Sequence, residues 1–275
     1  MKVNLSNFES FKDDLFDLSI VQKDVGGGTT SIEEIDIIQE YPNAKSLIIS
    51  GLKQETFEYL IQNYGNQFKA ISFWKNKLVT DLSPLGNLKG LEYLHYFVNQ
   101  RVTDLWDMRK NENLRGLAIY DFTRLHSIEK IVTAPNIEYF SIGNKVWAKM
   151  DIESLKPLIQ SNVSHFKWWG NKILDNDYLC LAQSKIRELD IPVGTFRMEE
   201  LAELVASIPD LRGIVTKPYK EFSITEHDKK TTYYLLCKGK KTLVKGKDDE
   251  KLEKYLADFE SLVEKYRTKY TGHGI

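Results

Sequence analysis

Short apolar runs recur along the chain with one internal spacing. FKAISFWKN (68–76) sets Phe68, Ile71 and Phe73 at offsets 0, 3 and 5. Runs of the same kind begin at Ala44 (AKSLIISGL), Leu91 (LEYLHYFVN), Leu114 (LRGLAIYDF) and Ile137 (IEYFSIGNK). Others begin at Val163 (VSHFKWWGN), Ile186 (IRELDIPVG) and Leu211 (LRGIVTKPY), and LFDLSIVQK, from Leu15, is a weaker first copy. Most starts lie about 23 residues apart, the period of a stacked-repeat architecture. The connectors rhyme as well: VTDLSPLGNLKG (79–90) and VTDLWDMRKNEN (102–113) share VTDL at one phase.

Each run predicts a short strand. Its offsets 3 and 5 point to one side: Ile71/Phe73, Leu94/Tyr96, Leu117/Ile119, Phe140/Ile142, Phe166/Trp168 and Leu189/Ile191. One unit cannot bury such a pair, whereas parallel stacking of units buries all of them in a continuous core. The return segments differ. ETFEYLIQNYG (55–65) and RMEELAELVASIP (197–209) have helical spacing, and DLSPLGNL (81–88), short and with a proline, predicts a turn or 3₁₀ segment. The expected fold class is α/β: a right-handed coil with a parallel sheet on its concave face and mixed helical and 3₁₀ returns.

This pattern resembles the leucine-rich-repeat family, most closely its bacterial internalin-like variety. The LxxLxLxxN motif is visible in FKAISFWKN and approximately in LEYLHYFVN, and VTDLSPLGNLKGLEYL looks like that family's repeat junction. The resemblance covers roughly residues 15–218. The asparagine slot holds Asn76, Asn99 and Asn171 but becomes Phe122, Lys145 and Gly194 elsewhere, so those turns must satisfy their backbone groups differently. The resemblance implies a leucine-rich-repeat solenoid that recognises another protein.

A stacked array needs covered ends. Residues 1–14, with Phe8, Phe11 and Leu15 at suitable spacing, predict an N-terminal helical cap. Gly26-Gly27-Gly28 lacks the GK[ST] that a phosphate loop requires and reads as a flexible loop. After Pro218 the pattern changes. EFSITEH, TTYYLLC and KKTLVKG predict three strands, and Asp249–Tyr270 predicts a helix with Asp248 as N-cap. The expected organisation is therefore a repeat domain with its cap over 1–218 and a β-β-β-α module over 219–275. Lys238, Lys240, Lys241, Lys245 and Lys247 cluster in that module and read best as a solvated hairpin whose charges keep an edge strand from pairing.

The slots facing away from the repeat core carry an unusual set of side chains. Offset 6 holds Trp74, Phe97, Tyr120, Gly143 and Trp169 in consecutive copies; offset 2 adds Tyr93, Tyr139, His165 and Glu188; offset 4 adds His95, Lys167 and Asp190. Aromatic residues on a solvent-facing sheet mark an interaction surface, and Trp and Tyr are enriched among binding hot spots. The same rings could instead stack on one another, be covered by either end of the chain, or be buried in a symmetric dimer.

Composition narrows the function classes. The 275 residues carry a formal net charge of -1, so a field drawing nucleic acid or anionic membrane is not indicated. No run reaches the length of a membrane span, and MKVNLSNFESFKDD has no apolar signal core, which points to a cytoplasmic location. Cys180 and Cys237 stand in unrelated contexts and read as buried reduced thiols. HExxH, GxSxG and P-loop motifs are absent, and no cofactor or metal is expected. The leading expectation is a non-enzymatic, cytoplasmic, bacterial-type protein that binds another protein. Trp74, Phe97, Tyr120 and Trp169 would be its anchors, surrounded by Tyr93, Tyr139, His165, Lys167, Glu188 and Asp190. Two alternatives are a scaffold presenting the C-terminal module and an enzyme centred near His165 and Glu188.

Overall fold

The computed structural model describes residues 2–10, 12–22, 29–146, 149–226 and 228–271. Phe11 and the 26–28 glycine triplet lie outside these. The chain divides into two compact units, Met1–Asp177 and Tyr178–Ile275.

The first unit is a stack of parallel strands. β1 (Leu18–Ile20), β2 (Ser46–Ser50), β3 (Ala70–Trp74), β4 (Tyr93–Asn99), β5 (Gly116–Phe122) and β6 (Tyr139–Gly143) lie side by side in chain order. Two-residue strands β7 (Asp151–Ile152) and β9 (Lys172–Ile173) form a separate pair, and β8 (His165–Trp169) follows β6 in the main sheet. The register is the one that the repeat predicts. Leu18 stands opposite Leu47, and Leu47, Ile71, Leu94, Leu117, Phe140 and Phe166 continue the row across the sheet. All of these except Leu18 are essentially inaccessible to solvent. The weak first copy at Leu15 is thus a true repeat.

The returns are mixed, as the spacing predicts. Helices α1 (Ile32–Asp36) and α2 (Gln54–Asn63) follow β1 and β2, and 3₁₀ turns at Ser83–Asn87, Glu129–Thr133 and Lys156–Gln160 serve later copies. Pro84 and Pro157 open two of those turns, where a missing N–H costs nothing. Each of three strands is followed by a non-glycine residue with left-handed backbone or ends in one: Lys75, Val98 and Asp121 share a slot held by Gly51 in the copy before. After Lys75 and Val98 the next position is an asparagine that closes the turn. Asn76 accepts from Leu52 N–H at 2.7 Å and donates to the Ile49 carbonyl at 3.0 Å. Asn99 donates to the Asn76 and Val79 carbonyls and accepts from the N–H groups of Arg101 and Val102. Where the slot becomes Phe122, the ring is buried edge-on to Tyr96, 5.0 Å between centroids. Parallel in-register strands, an apolar column and asparagine-closed turns make this a leucine-rich-repeat fold.

The second unit contains β10 (Glu188–Asp190), α3 (Met198–Ser207) and the predicted β-β-β-α module: β11 (Tyr219–Glu226), β12 (Lys229–Leu236), β13 (Leu243–Val244) and α4 (Asp249–Thr271). β11, β12 and β13 form an antiparallel sheet. Tyr255 of α4 donates to the Pro218 carbonyl at 3.0 Å and accepts from Cys237 N–H at 3.2 Å, which ties the helix to both flanks of the hairpin. Lys269 and Tyr270 of α4 both reach Glu203 on α3. The copy at Leu211 differs from the sequence expectation. It makes one bridge, Arg212 to Glu188, and then turns through Gly213 (φ 102) into a 3₁₀ segment. The Asp190 carboxylate holds that turn by accepting from Ile214 N–H at 2.9 Å.

Asn99→Ala removes four backbone partners at a buried turn. It should lower unfolding free energy by about 2–4 kcal/mol, because the Val79 carbonyl and the Arg101 and Val102 amides lose the side chain that pairs with them at a buried turn. The urea midpoint, at unchanged m-value, measures this.

Candidate protein-binding face

Side chains at offsets 2, 4 and 6 all stand on the face of the sheet opposite the repeat core, as alternation requires. Ala70, Tyr93, Gly116, Tyr139 and His165 form one row, and Trp74, Phe97, Tyr120, Gly143 and Trp169 another. The face is as predicted; its exposure is not. Tyr93 is 5% accessible, Phe97 2%, Tyr120 0% and Tyr139 5%. Trp74, His165, Lys167 and Trp169 are half-buried. The cover comes from the N-terminal segment. Val3, Phe8 and Phe16 join Tyr93, Phe97, Tyr120 and Tyr139 in a second apolar cluster, with Leu5, Leu15, Trp74 and Trp169 packed against it.

That segment is not the helix that its apolar spacing predicts. Residues 5–9 form turns, and a 3₁₀ turn spans Asp13–Leu15. The cause is local competition for the backbone. Asn4 N–H donates to Asn7 Oδ1 at 2.8 Å and Ser6 N–H to Asn4 Oδ1 at 2.9 Å, so side-chain amides take the places of helical carbonyls. The far end of the segment is fixed by Asp17, whose Oδ2 accepts from the Lys45 and Ser46 N–H groups.

Two consecutive residues do most of the docking. The Phe8 ring, 2% accessible, lies 5.6 Å from Tyr93 and 5.3 Å, edge-on, from Tyr139. Its seat is Gly116: a Cβ there would come within 2.9 Å of the Phe8 ring. Glu9 then accepts from the Tyr120 hydroxyl at 2.7 Å and lies 3.9 Å from Lys167 Nζ. Lys167 also sits 5.0 Å above the Tyr139 ring. The Tyr120 hydroxyl further contacts Ser141 Oγ. Burial, and next the Glu9 carboxylate, push the Tyr120 pKa well above the ordinary tyrosine value, so its proton stays in place to bond Glu9.

The remaining predicted residues are distributed as follows. Trp74 stacks at 4.8 Å on Phe97 with the Lys75 ammonium 5.2 Å above it. His165 packs edge-on to Tyr139 at 4.3 Å. Glu188 and Asp190 belong to the second unit, where Glu188 lies 4.0 Å from Arg212 and Asp190 closes the Gly213 turn. Sequence reasoning places Phe8 in an N-terminal helical cap and singles out neither Glu9 nor Gly116. A readable signal existed: a glycine between two tyrosines in an aromatic row is a ring-sized gap.

No protein-family model and no curated protein sequence matches this chain. Among solved structures, an internalin (inlF) from Listeria monocytogenes is similar over 68% of this chain and 51% of its own, with 21% identity and a TM-score of 0.49. An internalin C2 (inlC2) from the same species is similar over 59% of this chain and 67% of its own, with 22% identity and a TM-score of 0.44. This chain thus spans about half the length of the first. Among the described residues, no helix is long and apolar enough to cross a membrane.

Two measurements check the face. His95, buried on the same sheet face, shares a 2.8 Å hydrogen bond through Nδ1 with Ser72 Oγ. Burial, and then the Lys145 charge, lower its pKa from 6.5 to about 3. A lowered folded-state pKa means that the unfolded chain takes the proton first. The contribution of His95 is complete above about pH 6.5 and is lost as pH falls towards 3. Unfolding free energy should fall by about 1.4 kcal/mol per pH unit below 6.5, and His95→Gln should flatten that slope in urea titrations at pH 5 to 7. Separately, Gly116→Ala should destabilise the protein by about 1–3 kcal/mol through overpacking. In a Phe8→Ala background the same change should be nearly neutral, a coupling that a double-mutant cycle reads directly.

Proposed function

We propose that this protein is a non-enzymatic leucine-rich-repeat binding protein that engages another protein through its concave sheet face. One observation carries the reading: a stretch of polypeptide is already seated on that face, and aromatic and charged side chains hold it. A surface that accommodates one peptide through rings and a lysine has the chemistry to accommodate another. Trp74 and Trp169, half-buried at the margin of the covered zone, are the first anchors for an incoming chain. Phe97, Tyr120, Tyr93 and Tyr139 are the deeper ones, while His165 and Lys167 select by charge. A cytoplasmic location belongs to this reading; two buried thiols, Cys180 and Cys237, fit a reducing compartment.

A second reading follows from the C-terminal module. Its β11–β12 hairpin leaves Ile224 and Leu235 exposed beside a run of lysines, so the repeats could serve to present that hairpin. Substitution of Ile224 and Leu235 by serine separates the readings without removing α4.

The test is capture of a partner from source-cell lysate by the unaltered chain and by Trp74→Ser/Trp169→Ser. Both tryptophans are only partly buried, so the variant should retain the native circular dichroism spectrum. Loss of a specific partner by about tenfold or more is expected. Undiminished capture by the tryptophan variant, with loss on hairpin substitution, moves the function to the module.

A further inference from the structure

We propose that the concave face is a recognition site for a peptide carrying an aromatic residue followed directly by an acidic one, and that residues 2–10 are its intramolecular occupant. The inference deepens the proposed protein-binding role and rests on it.

The seat is specific in shape and in charge. Phe8 occupies a gap whose floor is Gly116 and whose walls are Tyr93 and Tyr139, contributed by β4, β5 and β6 from a single row. The next residue, Glu9, meets a phenol donor, Tyr120, and a cation, Lys167. An aromatic ring and a carboxylate on adjacent residues are therefore read by separate features: the gap at Gly116, and the Tyr120 hydroxyl four residues further along β5 together with Lys167 two strands away. A lysine or arginine after the ring would set like charge against Lys167 and leave the Tyr120 hydroxyl without an anionic acceptor.

The occupant is attached in a manner that allows exchange. The described backbone hydrogen bonds of residues 4–10 stay within the segment, from Asn7 and Phe8 to Asn4 and from Ser10 to Asn7. The sheet holds it through side chains, without a β-ladder. Its turn is self-contained, closed by Asn4 and Asn7, so it can leave as a unit and a similar turn can enter. An internal ligand of this kind lowers the apparent affinity for an external one by the fraction of time that it vacates the site.

The probe is a fluorescein-labelled peptide of the sequence KVNLSNFES, titrated by anisotropy against the full chain. Phe8→Ala/Glu9→Ala should bind it about tenfold or more tightly than the unaltered chain does, because the internal competitor is weakened. Peptides with the ring replaced by alanine, or with lysine in place of the acid, should lose that binding, and Lys167→Glu in the emptied chain should favour the lysine peptide. Should the emptied chain misfold, the unaltered chain serves: saturating peptide should accelerate hydrogen exchange of amides 4–10. Native-like emptied chain that ignores the peptide, together with unchanged exchange in the unaltered chain, overturns the proposal. A stable dimer by light scattering, with segments exchanged between copies, also overturns the intramolecular assignment. The two readings fail separately. If the peptide does not bind but the tryptophan variant loses its partner, the protein-binding role stands without this motif. If the peptide binds and partner capture is unaffected, the motif stands and the partner uses another surface.

Discussion

A parallel sheet with apolar side chains on both faces has to be covered on both sides, and the first unit is arranged around that demand. One face is covered by the repeats' own returns: Leu52, Leu60, Leu85 and Ile131 close over the column that runs from Leu47 to Phe166. The other face carries Tyr93, Phe97, Tyr120 and Tyr139. Val3, Phe8 and Phe16, with Leu5 and Leu15 packed against the same cluster, supply the layer over it. The raised pKa of Tyr120 and the ion pair of Glu9 with Lys167 both follow from that second layer.

Much of this architecture was legible because it is periodic. The spacing of offsets 3 and 5 in six runs names the inward column residue by residue; the observed register reproduces it from Ile71 to Phe166 and extends it back to Leu47 and Leu18. The two long returns and the terminal helix were readable from their 3.6-residue spacing, and Pro84 marked a 3₁₀ turn. The Leu211 copy was misread as a strand because the motif does not register what Gly213 and the Asp190 carboxylate do to the backbone together.

The state of the outward face was not legible for a different reason. Periodicity reports which side of a sheet a residue occupies, but not what lies on that side. The cover here comes from residues more than a hundred positions away in sequence, such as Glu9 on Tyr120, and from a segment whose form is set by Asn4 and Asn7 rather than by its apolar spacing. Phe8, read alone, fits a helical cap. Its role follows only when the gap left by Gly116 is set beside it.

The asparagine-closed turns bear on how such a chain can be shortened or lengthened. Asn76 binds Leu52 and Ile49 of the preceding copy, and Asn99 binds Asn76 and Val79 behind it. Both asparagines therefore help to finish the turn of the preceding copy, and Asn99 closes its own as well through the Arg101 and Val102 N–H groups. The unit that can be excised or duplicated is not a strand with its return. It is the stretch from just after one asparagine through the next, and a cut placed ahead of the asparagine would separate the preceding turn from the side chain that closes it.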